Sequence, residues 1–585
     1  MTGRAVFSDK RKKMLANGPL HHLGELLERM ESQYGSEISV IEKQGENKLF
    51  YTAEKLCGDV RALGTALLDR GFENAPIAIL SENSYRWIVG FLAIVCSGNV
   101  AVPLDRELTD SELLLLAQKS DIRALFYTDT FASAVRCFKE NGPAPCDFFS
   151  LCDANEPREG WESLQMRGKE LLNRGDRRMA DVPLSAAHSA AVVFTSGTTG
   201  ANKGAVLTHG NLVSNINAVA EHVPVEDSTI SVLPMNHVYE LNCNILPMLY
   251  INTVICINDR MRNLMHNLRF FSPGMAVVVP MFLESFYDNI RQKLRKDGQD
   301  QKTEQLIALS NRLLDGGIDM RRVLFKRIHA YFGNNLSLLI CGAAPVNEKY
   351  VTGLTELGFD VYVGYGLTEA SPIAALNTQT RRHPHSVGMP FYNTQVHIHA
   401  PDPDGEGEIW LRGENITPGY YKDPVATAES FTDGWFKTGD FGRLDAKGRL
   451  YVTGRKKNLI VLDNGKNVHP EEIESLICAQ LPYVREAVVM ETEKEVFGKL
   501  QRIIAAVLYV DPLDFPEQSV QETEVMAKAD MMQVNAKLPG YKAVNHVFIA
   551  TGGFQKTSTN KILRSKVIEQ YTDAADAGRG GQQNA

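Results

Sequence analysis

The sequence predicts an α/β protein with a large N-terminal domain of mixed, largely parallel sheets with crossover helices, followed by a small α+β C-terminal domain. Two observations carry this prediction. Apolar, β-branched runs alternate with helical segments from residue 76 onward, which is typical of parallel strands joined by crossover helices. A change of composition near Asp445–Gly448 then introduces a second set of short strands and helices, which indicates a smaller domain.

The N-terminal part is expected to begin with helices, because apolar residues recur at helical spacing between Leu20 and Arg70. Next, Pro76–Leu80 is a predicted strand, Trp87–Cys96 a buried helix and Val100–Leu104 a strand. Four later apolar runs, each followed at once by a turn-rich or polar loop, are also predicted strands: Thr229–Leu233, Ala276–Val279, Leu336–Ile340 and Asp360–Val363. Since ligands bind at the carboxyl ends of such strands, we expect the chemistry in those loops.

Three further segments complete the organisation. Asp288–Asn335 is polar, with leucines at helical spacing, and is typical of a solvated helical insertion. A helix is expected to start at His469–Pro470, because proline and the acids that follow it favour a helix N-terminus. The end of the chain, residues 572–585, carries too few apolar side chains to order itself and is a predicted disordered tail.

The length, charge, cysteine spacing and apolar runs of the sequence argue against a single-domain, nucleic-acid-binding, secreted or membrane-spanning protein. At 585 residues the chain needs more than one core. A net charge of -8 gives no support for a nucleic-acid partner. The nine cysteines form no C-x-x-C pair, which favours reduced thiols in the cytoplasm. A signal peptide would have an apolar segment after its basic residues, and none follows the basic run Lys10–Lys13. The apolar run Trp87–Cys96 is too short to span a bilayer.

The segment Thr195–Gly204 has the composition of a phosphate-binding loop. Glycines allow backbone N–H groups to approach a polyanion, hydroxyls donate hydrogen bonds, and Lys203 supplies positive charge. A Walker A loop is excluded because Asn202 stands at the position of its second glycine and Gly204 at that of its Mg²⁺-binding hydroxyl. The alternative is a surface loop without a ligand.

This loop resembles the signature loop of the adenylate-forming superfamily, which includes acyl-CoA synthetases, luciferases and peptide-synthetase adenylation domains. The single departure is Asn202, where that family usually has proline. The resemblance implies that ATP phosphates are bound by seven residues: Thr195, Ser196, Gly197, Thr198, Thr199, Gly200 and Lys203.

Four more motifs follow in the family's order. In Gly364–Glu369, Tyr365 offers a ring to stack on adenine, Thr368 a hydroxyl for the α-phosphate, and Glu369 a carboxylate ligand for Mg²⁺. Gly366 lies in the same predicted nucleotide-binding motif, and Ala343 is a further expected cofactor-binding residue.

The second and third motifs lie close together in sequence. The resemblance assigns Asp440, in Lys437–Asp440, to the ribose hydroxyls. In Gly454–Lys457, it assigns Arg455 to the ribose and phosphate and Lys457 to the interdomain hinge. The predicted domains are therefore residues 1–455, which bind ATP and the acyl group, and residues 456–571, a mobile lid.

The fourth motif, Lys556–Arg564, has Asn560 where the family usually has glycine, and asparagine also tolerates a left-handed backbone. Lys561 resembles the catalytic lysine that bridges the carboxylate substrate and the α-phosphate, where its charge offsets the repulsion of two anions. The family's reaction has two steps: formation of an acyl-adenylate with release of Mg²⁺-pyrophosphate, then attack by a thiol with release of AMP. The small domain swings between them.

A fatty acid is the expected substrate and coenzyme A the expected acceptor. Four segments are similar to those of long-chain acyl-CoA synthetases: Pro234–Glu240, Leu324–Arg327, Cys341–Pro345 and Asn464–Val468. His237 is a candidate residue of the acyl site, with a purely structural histidine as the alternative. Gly364 and Ala343 have small side chains, which would leave room for an extended chain. No aspartate stands out to pair with an amino-acid ammonium group.

Two rival functions remain open at this point. The first is an enzyme that loads acyl groups onto the phosphopantetheine of an acyl carrier protein acting in trans. The second is a non-catalytic nucleotide-binding regulator, against which the complete set Lys203, Glu369, Asp440 and Lys561 argues. A peripheral membrane contact would suit a fatty substrate, although no basic amphipathic helix is evident.

Overall fold

The computed structural model describes most of the chain. The described ranges are 17–143, 145–152, 160–195, 202–462, 467–496, 499–511, 519–550, 552–556 and 562–580. All nine cysteines fall within them and are free thiols. No helix in these ranges is long and apolar enough to cross a membrane.

The strands of the large N-terminal region are, in chain order, β1 (Ile38–Gln44), β2 (Asn47–Thr52), β3 (Pro76–Leu80), β4 (Val100–Pro103), β5 (Ala124–Tyr127), β6 (Asp147–Ser150), β7 (Ser189–Thr195), β8 (Lys203–Thr208), β9 (Ser228–Ser231), β10 (Val254–Ile257), β11 (Met275–Val278), β12 (Leu338–Cys341), β13 (Asp360–Gly366), β14 (Ile373–Asn377), β15 (Met389–Pro390), β16 (Thr394–His399), β17 (Gly407–Gly413), β18 (Phe431–Thr432), β19 (Trp435–Leu444) and β20 (Leu450–Arg455). The C-terminal region adds β21 (Ile460–Val461), β22 (Asn467–Val468), β23 (Val484–Val496), β24 (Lys499–Val510) and β25 (Val544–Ala550).

The α-helices are α1 (Leu23–Tyr34), α2 (Ala53–Asp69), α3 (Tyr85–Cys96), α4 (Asp110–Lys119), α5 (Ala132–Asn141), α6 (Trp161–Asn173), α7 (His209–His222), α8 (Val238–Glu240), α9 (Leu246–Tyr250), α10 (Leu264–Phe271), α11 (Pro280–Lys296), α12 (Asp300–Asp315), α13 (Arg321–Leu324), α14 (Lys326–Tyr331), α15 (Glu348–Glu356), α16 (Pro424–Ser430), α17 (Pro470–Gln480), α18 (Val520–Asn535) and α19 (Arg564–Gly580). A π-helical turn, Leu241–Ile245, joins α8 to α9.

Two large sheets form the body of the N-terminal region. The first has nine strands in the order β15-β14-β13-β12-β11-β9-β10-β1-β2, parallel in the middle and antiparallel at both edges. The second has six strands in the order β6-β5-β3-β4-β7-β8. Central strands such as β11 are buried along their whole length, as expected for parallel sheets covered by helices on both faces. The prediction of mixed, largely parallel sheets is confirmed.

The predicted strands are found with small shifts of their ends. Pro76–Leu80 matches β3 residue for residue, and the buried helix predicted at Trp87–Cys96 is α3. That helix begins two residues early because Ser84 Oγ accepts a hydrogen bond from the Trp87 backbone N–H at 3.1 Å, which caps the N-terminus. The insertion predicted at Asp288–Asn335 is helical, formed by the end of α11 together with α12, α13 and α14.

The C-terminal region has its own sheet, β23-β24-β25, and its own apolar core. Ile473 and Ile477 of α17 and Met531 of α18 pack in that core and are buried. A five-stranded sheet of β16 to β20 lies before it in sequence, and β20 ends at Arg455.

Two elements differ from the sequence expectation. Lys203 and Gly204, expected in the loop, begin strand β8, because Ala205 and Leu207 are buried at the edge of the six-stranded sheet. Regular structure was not expected beyond Thr572, yet α19 continues to Gly580. Alanine-rich sequence has high helix propensity, and the helix is anchored by the buried Val567.

Candidate functional site

The two ends of the phosphate-loop motif lie on neighbouring strands. Strands β7 and β8 are antiparallel, and Thr195 is paired with Lys203 where the two strands meet the loop. Thr195 Oγ1 donates a hydrogen bond to the Lys203 carbonyl at 3.4 Å. Lys119 Nζ donates to the Asn202 carbonyl at 2.6 Å, which fixes the C-terminal side of the loop. The predicted phosphate ligands Ser196, Gly197, Thr198, Thr199 and Gly200 lie outside the described residues.

Lys203 and Glu369 both contact the side chain of Tyr420, the first at its ring and the second at its hydroxyl. The Lys203 ammonium lies 5.1 Å from the centre of the Tyr420 ring, a favourable cation–π distance. The Tyr420 hydroxyl donates a hydrogen bond to Glu369 Oε1 at 2.8 Å. Burial, reinforced by the Glu369 carboxylate, raises the pKa of Tyr420 above its ordinary value, so the hydroxyl stays protonated as a donor. The structure therefore brings together two of the predicted phosphate and metal ligands.

Backbone contacts fix this arrangement. Ala205 of β8 and Tyr420 form an antiparallel bridge, and the Tyr421 N–H donates to the Gly204 carbonyl at 2.7 Å. The Thr417 N–H donates to the Glu369 carbonyl at 2.8 Å. Sequence reasoning did not single out Tyr420, because no local pattern indicates that its hydroxyl meets a carboxylate 51 residues away.

Asp440 joins two other predicted nucleotide ligands. The Tyr365 hydroxyl donates to Asp440 Oδ2 at 2.8 Å, and Arg455 Nε lies 3.0 Å from Asp440 Oδ1. Asp440 and Arg455 face each other across β19 and β20. Asp440 is only 4% exposed, and a buried carboxylate of this kind needs charged or hydrogen-bonding partners. Burial and the Asp440 carboxylate raise the pKa of Tyr365 well above its ordinary value.

The segment between Tyr365 and Glu369 connects these two clusters. Gly366 ends β13, and a Cβ atom there would lie 1.8 Å from the Pro372 carbonyl oxygen, so a side chain is sterically excluded. Thr368 and Glu369 then form a short 3₁₀ turn, Thr368–Ala370. Three residues therefore separate the predicted adenine ligand Tyr365 from the predicted metal ligand Glu369.

The predicted acyl-site residues lie at the carboxyl ends of neighbouring parallel strands. Ala343, with a φ of 70°, follows β12, and Gly364 lies in β13 beside it. A Cβ atom on Gly364 would meet its nearest atom, Leu376 Cδ1, at 3.4 Å, so that position is open enough for a small side chain. His237 lies at the start of α8, and its Nε2 is 3.8 Å from Asp105 Oδ2.

Tyr239 is a second residue that the sequence analysis did not identify. Its hydroxyl reaches the carbonyls of Val278 and Ile340, both at 3.2 Å, at the ends of β11 and β12. A Cβ atom on Gly342 would lie 3.1 Å from this hydroxyl. Tyr239 thus ties the segment that carries His237 to the two strands that lead to the candidate acyl site.

The described residues at the two ends of the C-terminal motif are hydrogen-bonded to each other. Lys556 and Ile562 are bridged, and the Leu563 N–H donates to the Gln555 carbonyl at 2.8 Å. Lys561 lies outside the described residues, between these anchored flanks. Arg564 Nη1 donates to both carboxylate oxygens of Glu474, at 2.6 and 2.8 Å.

Lys457, the predicted hinge residue, lies two positions after Arg455 in the Gly454–Lys457 motif. It belongs to a short 3₁₀ turn, Lys456–Asn458, directly after Arg455. Burial lowers its pKa, and the positive charges of Arg455 and Arg564 lower it further. Lys457 is therefore close enough to both Arg455 and Arg564 for their charges to act on it.

The carboxylates of the site fit an Mg²⁺ ion bound mainly through phosphate. Within the described ranges, no three His, Cys, Asp or Glu side chains are grouped so as to hold a metal by themselves. Magnesium usually takes one or two protein carboxylates and completes its shell with substrate phosphates and water. The Glu369 carboxylate, with one oxygen hydrogen-bonded to Tyr420, matches that donor set.

Comparisons with known proteins identify the family of this chain. The model of the AMP-binding enzyme family matches residues 29–421, and that of the AMP-binding enzyme C-terminal domain matches residues 457–578. The chain belongs to the family of AMP-binding enzymes.

The individual proteins to which this chain is similar include several ligases that act on carboxylic acids. The chain is 28% identical over 483 residues to the long-chain-fatty-acid–CoA ligase FadD15 of Mycobacterium bovis, covering 79% of this chain and 78% of that protein. It is 24% identical over 631 aligned positions to the chloroplastic long-chain-fatty-acid–[acyl-carrier-protein] ligase AEE15 of Arabidopsis thaliana, covering 93% and 85%. The crystal structure of the anthranilate CoA ligase AuaEII with anthranoyl-AMP shares the fold, with a TM-score of 0.76 at 18% identity and coverage of 96% and 99%.

Proposed function

We propose that this protein is an AMP-forming ligase that activates a long-chain fatty acid with ATP and transfers the acyl group to coenzyme A. The observation that carries the proposal is a pair of side-chain clusters. Lys203, Tyr420 and Glu369 form the first, and Tyr365, Asp440 and Arg455 form the second. Glu369 of the first cluster lies four positions after Tyr365 of the second. In this proposal, the first cluster supplies a cation and a metal-binding carboxylate, and the second supplies an acceptor for the ribose. The substrate class rests on the similarity to FadD15.

In the first step, a carboxylate oxygen of the acid attacks the α-phosphorus of ATP. The bond to the bridging oxygen of pyrophosphate breaks, giving an acyl-adenylate. Lys203 neutralises charge on the leaving phosphates, Thr368 donates to the α-phosphate, and Lys561 offsets the repulsion between the two anions. Mg²⁺ bound at Glu369 would neutralise further phosphate charge.

In the second step, the sulfur of coenzyme A attacks the acyl carbonyl and AMP leaves. We propose that residues 456–571 turn about Lys457 between the steps, so that Lys561 withdraws and the thiol enters. The match to the AMP-binding enzyme family ends at residue 421, and the match to its C-terminal domain begins at residue 457. These limits support a domain boundary near Arg455. A lid motion of this kind is a common way to separate half-reactions.

An acyl carrier protein acting in trans is the second candidate acceptor. The similarity to the acyl-carrier-protein ligase of Arabidopsis, which covers 93% of this chain, favours it. We expect the enzyme in the cytoplasm, where the acid could be drawn from a membrane by peripheral contact.

The first experiment is a mass-spectrometric assay with ATP, Mg²⁺ and a panel of carboxylic acids from acetate to long-chain fatty acids, aryl acids and amino acids. Coenzyme A and a holo-carrier protein are offered in parallel. Acyl-CoA and AMP from long-chain acids are the expected products. Acyl-carrier product alone would identify the second acceptor, and no AMP with any acid would contradict the ligase proposal.

A further inference from the structure

We propose that Tyr420 is a positioning residue that holds Glu369 and Lys203 apart and directs each toward the nucleotide triphosphate. This inference rests on the proposed function, because it assigns the metal and phosphate contacts to the same site. It adds a residue that neither the motifs nor the expected ligand set includes.

The first support is the separation of two opposite charges. Lys203 lies over the Tyr420 ring, and Glu369 accepts a hydrogen bond from the hydroxyl of that ring. No ion pair within 4.0 Å joins Lys203 to Glu369 or to another acid in the described part of the chain. Two opposite charges on flexible side chains would otherwise form such a pair and neutralise each other. The ring acts as a spacer, so the ammonium and the carboxylate both remain available.

The second support is the orientation of the Glu369 carboxylate. Of the residues that the structure describes, Tyr420 is the one whose side chain hydrogen-bonds to it, and it does so on Oε1 at 2.8 Å. This contact restrains the rotation of the carboxylate, and no described residue donates a hydrogen bond to Oε2, which can therefore ligate a metal ion. A ligating carboxylate held by a second residue binds metal more tightly than an unrestrained one.

The third support is the rigidity of Tyr420 itself. Its backbone is bridged to Ala205 in β8, and its N–H donates to Thr427 Oγ1 at 2.9 Å. Because β8 also carries Lys203, the ring and the lysine belong to one hydrogen-bonded unit. Tyr420 therefore transmits the position of the phosphate-loop hairpin to the metal ligand.

Two substitutions separate the two roles. Tyr420→Phe keeps the ring as spacer but removes the donor to Glu369. We expect the Mg²⁺ concentration for half-maximal activity to rise about tenfold, with recovery of kcat at saturating Mg²⁺. Tyr420→Leu removes the spacer, so Lys203 and Glu369 can pair, and excess Mg²⁺ should not restore ATP affinity.

The matched control is Tyr421→Phe, which also removes one tyrosine hydroxyl. The centre of the Tyr421 ring lies 5.4 Å from the Lys422 ammonium. In the part of the chain that the structure describes, the Tyr421 side chain makes no hydrogen bond to Glu369. This variant should have the Mg²⁺ dependence of the wild type. Melting temperatures of all three variants show whether any loss comes from unfolding.

A binding measurement separates this inference from the proposed function. Calorimetric titration of ATP at several Mg²⁺ concentrations, and Mn²⁺ binding followed by electron paramagnetic resonance, need no acyl substrate. Weaker metal-dependent ATP binding in folded Tyr420→Phe supports the positioning role, even if the wild type forms no acyl-CoA. Identical metal dependence of Tyr420→Phe and the wild type would overturn it. A wild type that binds no ATP would overturn both proposals.

Discussion

Arg455 lies 3.0 Å from Asp440, across the paired strands β19 and β20. The carboxylate thus has a cationic partner on one oxygen and the Tyr365 hydroxyl on the other. A ribose that binds Asp440 joins a carboxylate that is already held in place, and pre-organisation of this kind reduces the entropy lost on binding.

The first prediction concerns Asp440→Asn. The substitution removes the charged acceptor and leaves Arg455 unpaired, so we expect ATP affinity to fall by about tenfold or more, the worth of one hydrogen bond to a charged group. Calorimetric titration with ATP measures it. Asp445→Asn is the control, because Asp445 also pairs with an arginine, Arg449, on the same β19–β20 hairpin. Equal losses in both variants would contradict a specific role for Asp440.

The second prediction concerns the two half-reactions. Lys561→Ala should abolish formation of the acyl-adenylate, yet leave thioester formation from supplied acyl-adenylate largely intact. Rapid-quench measurement of each half-reaction tests this. Lys566→Ala provides the control, since Lys566 is an exposed lysine paired with Glu569 on α19. A comparable loss in both half-reactions would remove Lys561 from its assigned role.

The third prediction concerns pH and stability. Glu240 is fully buried, and burial raises its pKa to about 8, although Asn244 Nδ2 donates a hydrogen bond to its Oε1 at 2.9 Å. Between pH 4.5 and 8 the folded protein keeps a proton that the unfolded chain releases, so stability should fall as pH rises, by up to about 1.4 kcal/mol per pH unit.

Glu240→Gln should remove this contribution to the slope. Melting temperatures from pH 5 to 8 test it, with the exposed Glu107→Gln as control. A slope in Glu240→Gln that equals the wild-type slope would show that Glu240 titrates normally.

The fourth prediction concerns the length of the acyl chain. Gly364→Ala should fold normally, because its Cβ would meet Leu376 Cδ1 at an ordinary contact distance of 3.4 Å. Gly364→Phe places a ring at the candidate acyl site, so kcat/KM for a sixteen-carbon acid should fall by at least about tenfold while an eight-carbon acid is retained. Parallel loss with both acids would indicate general damage instead of a chain-length effect.

The sequence predicted the fold class for a definite reason, and it singled out several residues that the structure brings together. Strands such as β3 were visible because their residues are buried on both faces and are therefore continuously apolar. Asp440 and Arg455 were visible because each lies in a short motif. Tyr420 and Tyr239 were not, since each acts through a hydroxyl whose partners are distant in sequence. Such contacts arise from the tertiary fold, which short-range patterns do not encode.

The position of Tyr420 in the chain has a consequence for synthesis on the ribosome. The hairpin that carries Lys203 emerges first, Glu369 much later, and the residue that connects them last. If the proposed site binds ATP, the nucleotide can stabilise the nascent protein at this site only after Tyr420 has been translated. Under the proposed function, chains interrupted before Tyr420 would gain no protection from the nucleotide, whereas chains interrupted between Arg455 and Lys561 would bind ATP without consuming it.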